Sequence, residues 1–211
     1  MREESVMNVS QPEAITTLMH EHRVIEQVLD AFERCTSQLA SNGEVTRATI
    51  RGFAAFFRNF VDRCHHGKEE DRLFALMVEL GFPRDHGPIA VMLDEHELGR
   101  EHTRVLSAIG EGEGPLTDEE RKKVGSHAGA FIPLLRAHIR KEDEILYPMA
   151  MQALSPDRLV TLARDFDAFE ANVMGAGEHE RYHALADELI AAWSPEAKPV
   201  GSCCHHAAAA R

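Results

Sequence analysis

Two stretches of this 211-residue chain carry the same polar pattern. His65-His66-Gly67-Lys68-Glu69-Glu70-Asp71-Arg72-Leu73-Phe74 aligns with His138-Ile139-Arg140-Lys141-Glu142-Asp143-Glu144-Ile145-Leu146-Tyr147, at an offset of 138 − 65 = 73. Each reads His-x-x-x-Glu, then an acid, then Leu and an aromatic. Upstream, Leu18-Met19-His20-Glu21-His22 aligns with Met92-Leu93-Asp94-Glu95-His96, at an offset of 96 − 22 = 74. Residues four apart share a helix face, so His65 with Glu69 and His138 with Glu142 each point into one layer. Imidazole nitrogen with carboxylate oxygen suits iron, manganese or zinc, and a set without thiolate argues against iron–sulfur chemistry.

If the two halves face each other across a pseudo-twofold axis, two metals result. His22 and His65 hold one, His96 and His138 hold the other, and Glu69 and Glu142 bridge them. Iron is expected from the ligand types, ahead of manganese or zinc. A single His-x-x-x-Glu is ordinarily a solvated polar pair, and repetition in step with the same apolar followers is what lifts this one above that reading. His66 with Glu70 and His22 with Glu26 have the same spacing, but alignment with the second half favours His65 and Glu69. Glu26 is matched by Arg100, which leaves it open as a ligand or as a partner to one.

The elements that must position these residues are helices. Low aromatic content and long stretches free of Gly and Pro favour an all-α chain. A first helix is expected from near Pro12, with Ser10 as candidate cap, to Ser41-Asn42-Gly43. A second runs from about Val45 to Leu80, and a third from Ile89 to Ile109. Thr117 and Glu120 form a capping box that opens a fourth, reaching about Leu154. Two further helices, split by Gly175-Ala176-Gly177, end near Trp193. The expected architecture is an antiparallel four-helix bundle over residues 12–154, a C-terminal helical extension over 155–194 and a disordered tail over 195–211.

On His22, His65-x-x-x-Glu69, His96 and His138-x-x-x-Glu142, the sequence resembles the hemerythrin-like (HHE cation-binding) family over roughly residues 14–152. That resemblance implies a bundle with a di-iron site that reacts with O2, and in different members serves oxygen carriage or sensing, iron handling, or removal of peroxide and nitric oxide. Oxygen-carrying members add a His four residues after the third-helix ligand, where this chain has Arg100. His102 lies about 120° around the helix from His96 and cannot simply replace it. An under-coordinated second iron is therefore expected, which fits redox chemistry or sensing better than oxygen storage.

Other residues of chemical interest lie outside this repeat. His179 and His183 form an i,i+4 pair that reads as a polar face, or as a segment covering the site and supplying a ligand or proton donor. Cys64 reads as a small core residue beside a redox centre, and Cys203-Cys204-His205-His206 as a tail without fixed geometry. A ferritin-type oxidase would use Glu-x-x-His, which occurs here only as the unpaired Glu180-x-x-His183. A redox-silent, metal-stabilised interaction module is the remaining alternative. If the chain is an enzyme, the expected class is a peroxide- or nitric oxide-consuming di-iron oxidoreductase.

A net charge of −12 argues against nucleic-acid and anionic-lipid partners. The absence of a long apolar run and of a leader-like start places the expected protein in the cytoplasm with reduced thiols.

Overall fold

The computed structural model describes residues 11–39 and 45–195, and the regular structure among them is entirely helical. Helix α1 spans Glu13–Ser37, headed by Pro12 without a side-chain cap. Helix α2 is capped by Thr46, whose hydroxyl accepts from the Thr49 amide. It runs as α-helix over Arg47–Phe56, as π-helix over Phe57–His66 and Glu69–Phe74, and as α-helix again over Ala75–Glu79. Helix α3 is Gly87–Gly110. Helix α4 opens on the expected capping box of Thr117 and Glu120, spans Asp118–Lys141, and passes through π-helical Glu142–Leu146 into Tyr147–Ala153.

Ser155 caps helix α5, Pro156–Phe169, which ends in the π-helical turn Glu170–Met174. Gly175 and Gly177, at φ of +101° and +81°, then turn the chain into α6, Glu178–Ala192. Both are in backbone conformations that side-chain-bearing residues rarely adopt. The candidate cap Ser10, the stop at Ser41–Gly43 and the Cys203–His206 tail lie outside the described residues. Among the described residues no helix is long and apolar enough to cross a membrane.

The core is divided in two. One part gathers Ile25, Val28, Phe32, Phe53, Phe57, Phe60, Leu106, Phe131 and Leu135 with Tyr182 and Leu189 of α6. The other gathers Ile15, Leu18, Leu73, Phe74, Ile89, Met92, Leu146 and Tyr147 with Leu159, Leu162 and Phe166 of α5. In each of α1 to α4, the residues between these two parts are the polar ones of the repeat. Helix α1 passes from the second part to the first, α2 from the first to the second, α3 back again, and α4 back once more. A buried polar layer thus lies between two apolar ends.

Candidate metal centre

A π-helical turn bonds i to i+5 instead of i to i+4 and is found mostly at functional sites. In α2 its effect is that adjacent imidazoles, His65 and His66, are both buried. An undistorted α-helix would turn one of them away by ~100°. The equivalent place to His66 in α4 is Ile139, since 139 − 66 = 73, so the two halves of the repeat differ here.

The inward donors form two groups that share Glu69. His22, His65, Glu69 and Glu142 offer atoms within 4.8 Å of one another, and so do His66, Glu69, His96 and His138. Between the groups, Glu142 reaches His22 Nε2 at 3.2 Å with one oxygen and His138 Nε2 at 3.2 Å with the other. Glu69 Oε2 lies 3.5 Å from His96 Nε2 and 3.8 Å from His65 Nε2. All seven residues are buried. Each carboxylate therefore faces imidazoles of both groups.

Four of the imidazoles are held from behind by a carboxylate. His65 Nδ1–H donates to Glu21 at 2.8 Å, His96 to Glu70 at 2.7 Å, His138 to Glu95 at 3.0 Å and His22 to Asp143 at 2.8 Å. Helix α1 thus orients α2, α2 orients α3, α3 orients α4, and α4 orients α1, a closed circuit. Fixing the proton on Nδ1 leaves the Nε2 lone pair aimed inward, the arrangement that raises the basicity of a metal-binding imidazole. Behind the carboxylates stand four cations: Lys68 on Glu21, Arg100 on Glu70, Lys141 on Glu95 and Arg23 on Asp143.

This assignment leaves bare Nε2 atoms opposite bare carboxylate oxygens. Both nitrogens of His66, Glu69 Oε2 and both oxygens of Glu142 are buried with no hydrogen-bond partner. A buried polar group without a partner costs roughly 2–7 kcal/mol, and an unpaired charge more. The interior accordingly attracts positive charge. Burial works against charging His22, but Asp143 and Glu142 raise it to about 9. Burial likewise opposes charging His138, yet Glu142 and Glu95 raise it to about 10. Glu142 is held well below the usual carboxylate range by His138 and His22 despite its burial. His66, buried among other imidazoles, is pushed well below its usual value and so stays a neutral donor. Divalent cations fit this donor set, because they give the inward lone pairs a common partner that protons supply only one atom at a time.

Tyr147 completes the interior. Its hydroxyl donates to Glu69 Oε1 at 2.7 Å and lies 3.3 Å from His22 Nε2. Burial and the carboxylates Glu69 and Glu142 raise its pKa well above 10, so it remains a phenol. Its counterpart in the repeat is Phe74 (147 − 74 = 73), whose ring lies 6.0 Å from that of His96. The His22–His65 group therefore has two imidazoles and a hydroxyl, and the His66–His96–His138 group has three imidazoles and an inert ring.

The structure brings His22, His65, Glu69, His96, His138 and Glu142 together, in the pairs that the spacing suggested. It adds His66 and Tyr147. His66, which alignment of the repeat passed over in favour of His65, is buried beside it and gives the second group the imidazole that Arg100 does not provide. Glu26 pairs with Arg23 at the surface, and Arg100 bridges Asp62, Glu70 and Glu97. His102 contacts His127, 3.0 Å apart, away from the centre. His179 and His183 face each other at 3.0 Å and join neither group.

Uncharacterized proteins of Mycobacterium bovis and Mycobacterium tuberculosis are each 22% identical over 171 residues, covering 81% of this chain and 66% of their own length. No solved structure matches. Residues 13–150 match the hemerythrin HHE cation-binding domain. The stretch spans α1 to the last turn of α4 and contains every member of both donor groups, so the chain belongs to the hemerythrin HHE cation-binding family.

Proposed function

We propose that this chain is a non-haem di-iron protein that reacts with O2, peroxide or nitric oxide, in sensing or in removal of the oxidant. The observation that carries the reading is the pair of donor groups sharing Glu69, with lone pairs converging on two places in a layer sealed by apolar core at both ends. His22 and His65 would hold one iron, His66, His96 and His138 the other, and Glu69 and Glu142 would bridge. The family's antiparallel four-helix arrangement is supported by the alternating order in which α1 to α4 meet the two core parts. Absence of a membrane-crossing helix among the described residues is compatible with the cytoplasm as its location.

Iron, when bound, supplies the electrons for reduction of the small oxidant. The protein's part is arrangement. The carboxylates behind the imidazoles keep each Nε2 free for metal. The apolar ends exclude water, which strengthens every charge interaction in the layer. Tyr147, a neutral phenol beside the two-imidazole position, rests its single O–H on Glu69 Oε1 and would turn it from there to donate to an oxygen arriving at that position.

Metal analysis of anaerobically purified protein, followed by its ultraviolet–visible spectrum on admitting O2 or peroxide, tests this. About two irons per chain and a new charge-transfer band are expected from a carboxylate-bridged pair. Zinc, or iron that remains spectrally silent toward both oxidants, would leave a structural module and overturn the redox reading.

A further inference from the structure

Three of the four cations behind the orienting carboxylates keep part of their side chains in solvent. Lys68 keeps none. A buried ammonium is costly unless carboxylates face it, and Lys68 has two: Glu21 from α1, and Glu170 from the π-helical end of α5 at 2.6 Å. Its counterpart Lys141 (141 − 68 = 73) has, among the described residues, Glu95 alone. The difference comes from Glu170 of α5, which together with α6 lies outside the family-matched residues 13–150. Their seat is close. Phe169 is buried against Gly67, where a Cβ would fall 2.5 Å from the ring.

We propose that Glu170 is a positioning residue for the metal pair, acting through Lys68 and Glu21 on His65, so that the C-terminal helices set the affinity of the two-imidazole position. The links are Glu170 to Lys68, Lys68 to Glu21, and Glu21 to the Nδ1–H of His65. A carboxylate behind a ligand imidazole raises its basicity, and a cation drawing on that carboxylate takes some of the effect away. Glu170 shares the charge of Lys68 and so leaves Glu21 freer to accept from His65. The His22–His65 position feels this most, because it has one imidazole fewer than its neighbour.

A rival reading of the same place fails on its occupant. Glu21, Cys64, Glu170 and His179 converge within 4.8 Å, as in a cation site. The cation they surround is the Lys68 ammonium, already bound by both carboxylates. The cluster is a clamp between α2 and α5.

The inference rests on the two-metal reading, and one experiment separates the two. Full-length protein, Glu170→Gln and a surface control at the exposed Glu188, Glu188→Gln, are loaded anaerobically with iron(II) and titrated with a chelator, counting metals retained per chain. Wild-type protein that holds no pair of metals would sink the reading of the centre itself. With the pair present, Glu170→Gln is expected to release one metal at about tenfold lower chelator concentration, the low end for groups behind ligands, while the other metal is released as in the control. Metal-free protein melts lower as well, because Lys68 loses one of its two buried partners, so the selective loss of one metal is what reads the positioning. The double variant Glu170→Gln/Lys68→Met, which removes the cation together with its partner, should return the release curve toward wild type. Release curves identical to wild type overturn the proposal. So does loss of both metals in step with a lower metal-free melting temperature, or a double variant weaker than the single one.

Discussion

The Tyr147 hydroxyl donates a 2.7 Å hydrogen bond to Glu69, a carboxylate from the opposite half of the repeat. Phe74 stands where a symmetric chain would place a second hydroxyl, so the two donor groups cannot be chemically equivalent. Tyr147→Phe keeps the ring and removes only the donor. It is expected to bind as much iron as wild type and to react with O2 or peroxide about 10–100-fold differently, the range seen when groups behind a metal ligand are changed. Rapid mixing of the reduced protein with each oxidant measures it, and unchanged rates would remove the hydroxyl from the mechanism.

His66→Ile copies the residue found at the equivalent place in α4. The two partnerless ring nitrogens disappear, so the metal-free protein should become more stable by about 1–3 kcal/mol, the cost of a buried unsatisfied group. Metal content should fall at the same time, toward one ion per chain. Opposite signs for denaturant stability and metal content identify a ligand, whereas a fall in both would mark His66 as a packing residue.

The raised pKa values of His22 and His138 fix the sign of a pH effect. Their folded values, about 9 and about 10, exceed the ordinary imidazole value of 6.5. The stability they contribute is fully present below pH 6.5 and is lost as pH rises through 9 to 10. Metal-free protein should therefore melt at progressively lower temperature between these limits. Metal-loaded protein should hold its melting temperature there, because metal competes with protons for the same lone pairs. Thermal scans of both forms against pH read the difference.

Gly67→Ala tests the seat of the C-terminal helices. The new methyl, at a half-buried position of α2, would meet the buried Phe169 ring at 2.5 Å. Overpacking of this kind costs about 1–3 kcal/mol. Adding Phe169→Leu should recover part of the loss, which a double-mutant cycle in denaturant would show.

Much of the centre was legible because its residue types recur. The His-x-x-x-Glu repeat and the two Glu-His pairs carried ligand candidates and also, unrecognised, the carboxylates behind them: Glu21, Glu70, Glu95 and Asp143 occupy the conspicuous places beside the ligands. His66 was hidden by geometry, since periodicity arguments assume an undistorted helix and no residue in 57–66 announces a π-turn. Tyr147 was visible as an aromatic follower, but nothing in the spacing says that its hydroxyl faces Glu69. The role of Glu170 was illegible for a plainer reason: it reaches Lys68 from 102 residues away along the chain.

The closed circuit of imidazoles and carboxylates has a consequence for how the chain finds its native alignment. Greasy faces tolerate axial slip, because one leucine replaces another at little cost when a helix slides by a turn. Each of α1 to α4 both gives a carboxylate and receives one, so sliding any single helix breaks two charge-assisted bonds at once and leaves their partners buried and unpaired. Even before metal arrives, the polar waist acts as a set of keyed teeth: it contributes little net stability of its own and rejects the misaligned bundles that the two apolar ends would accept.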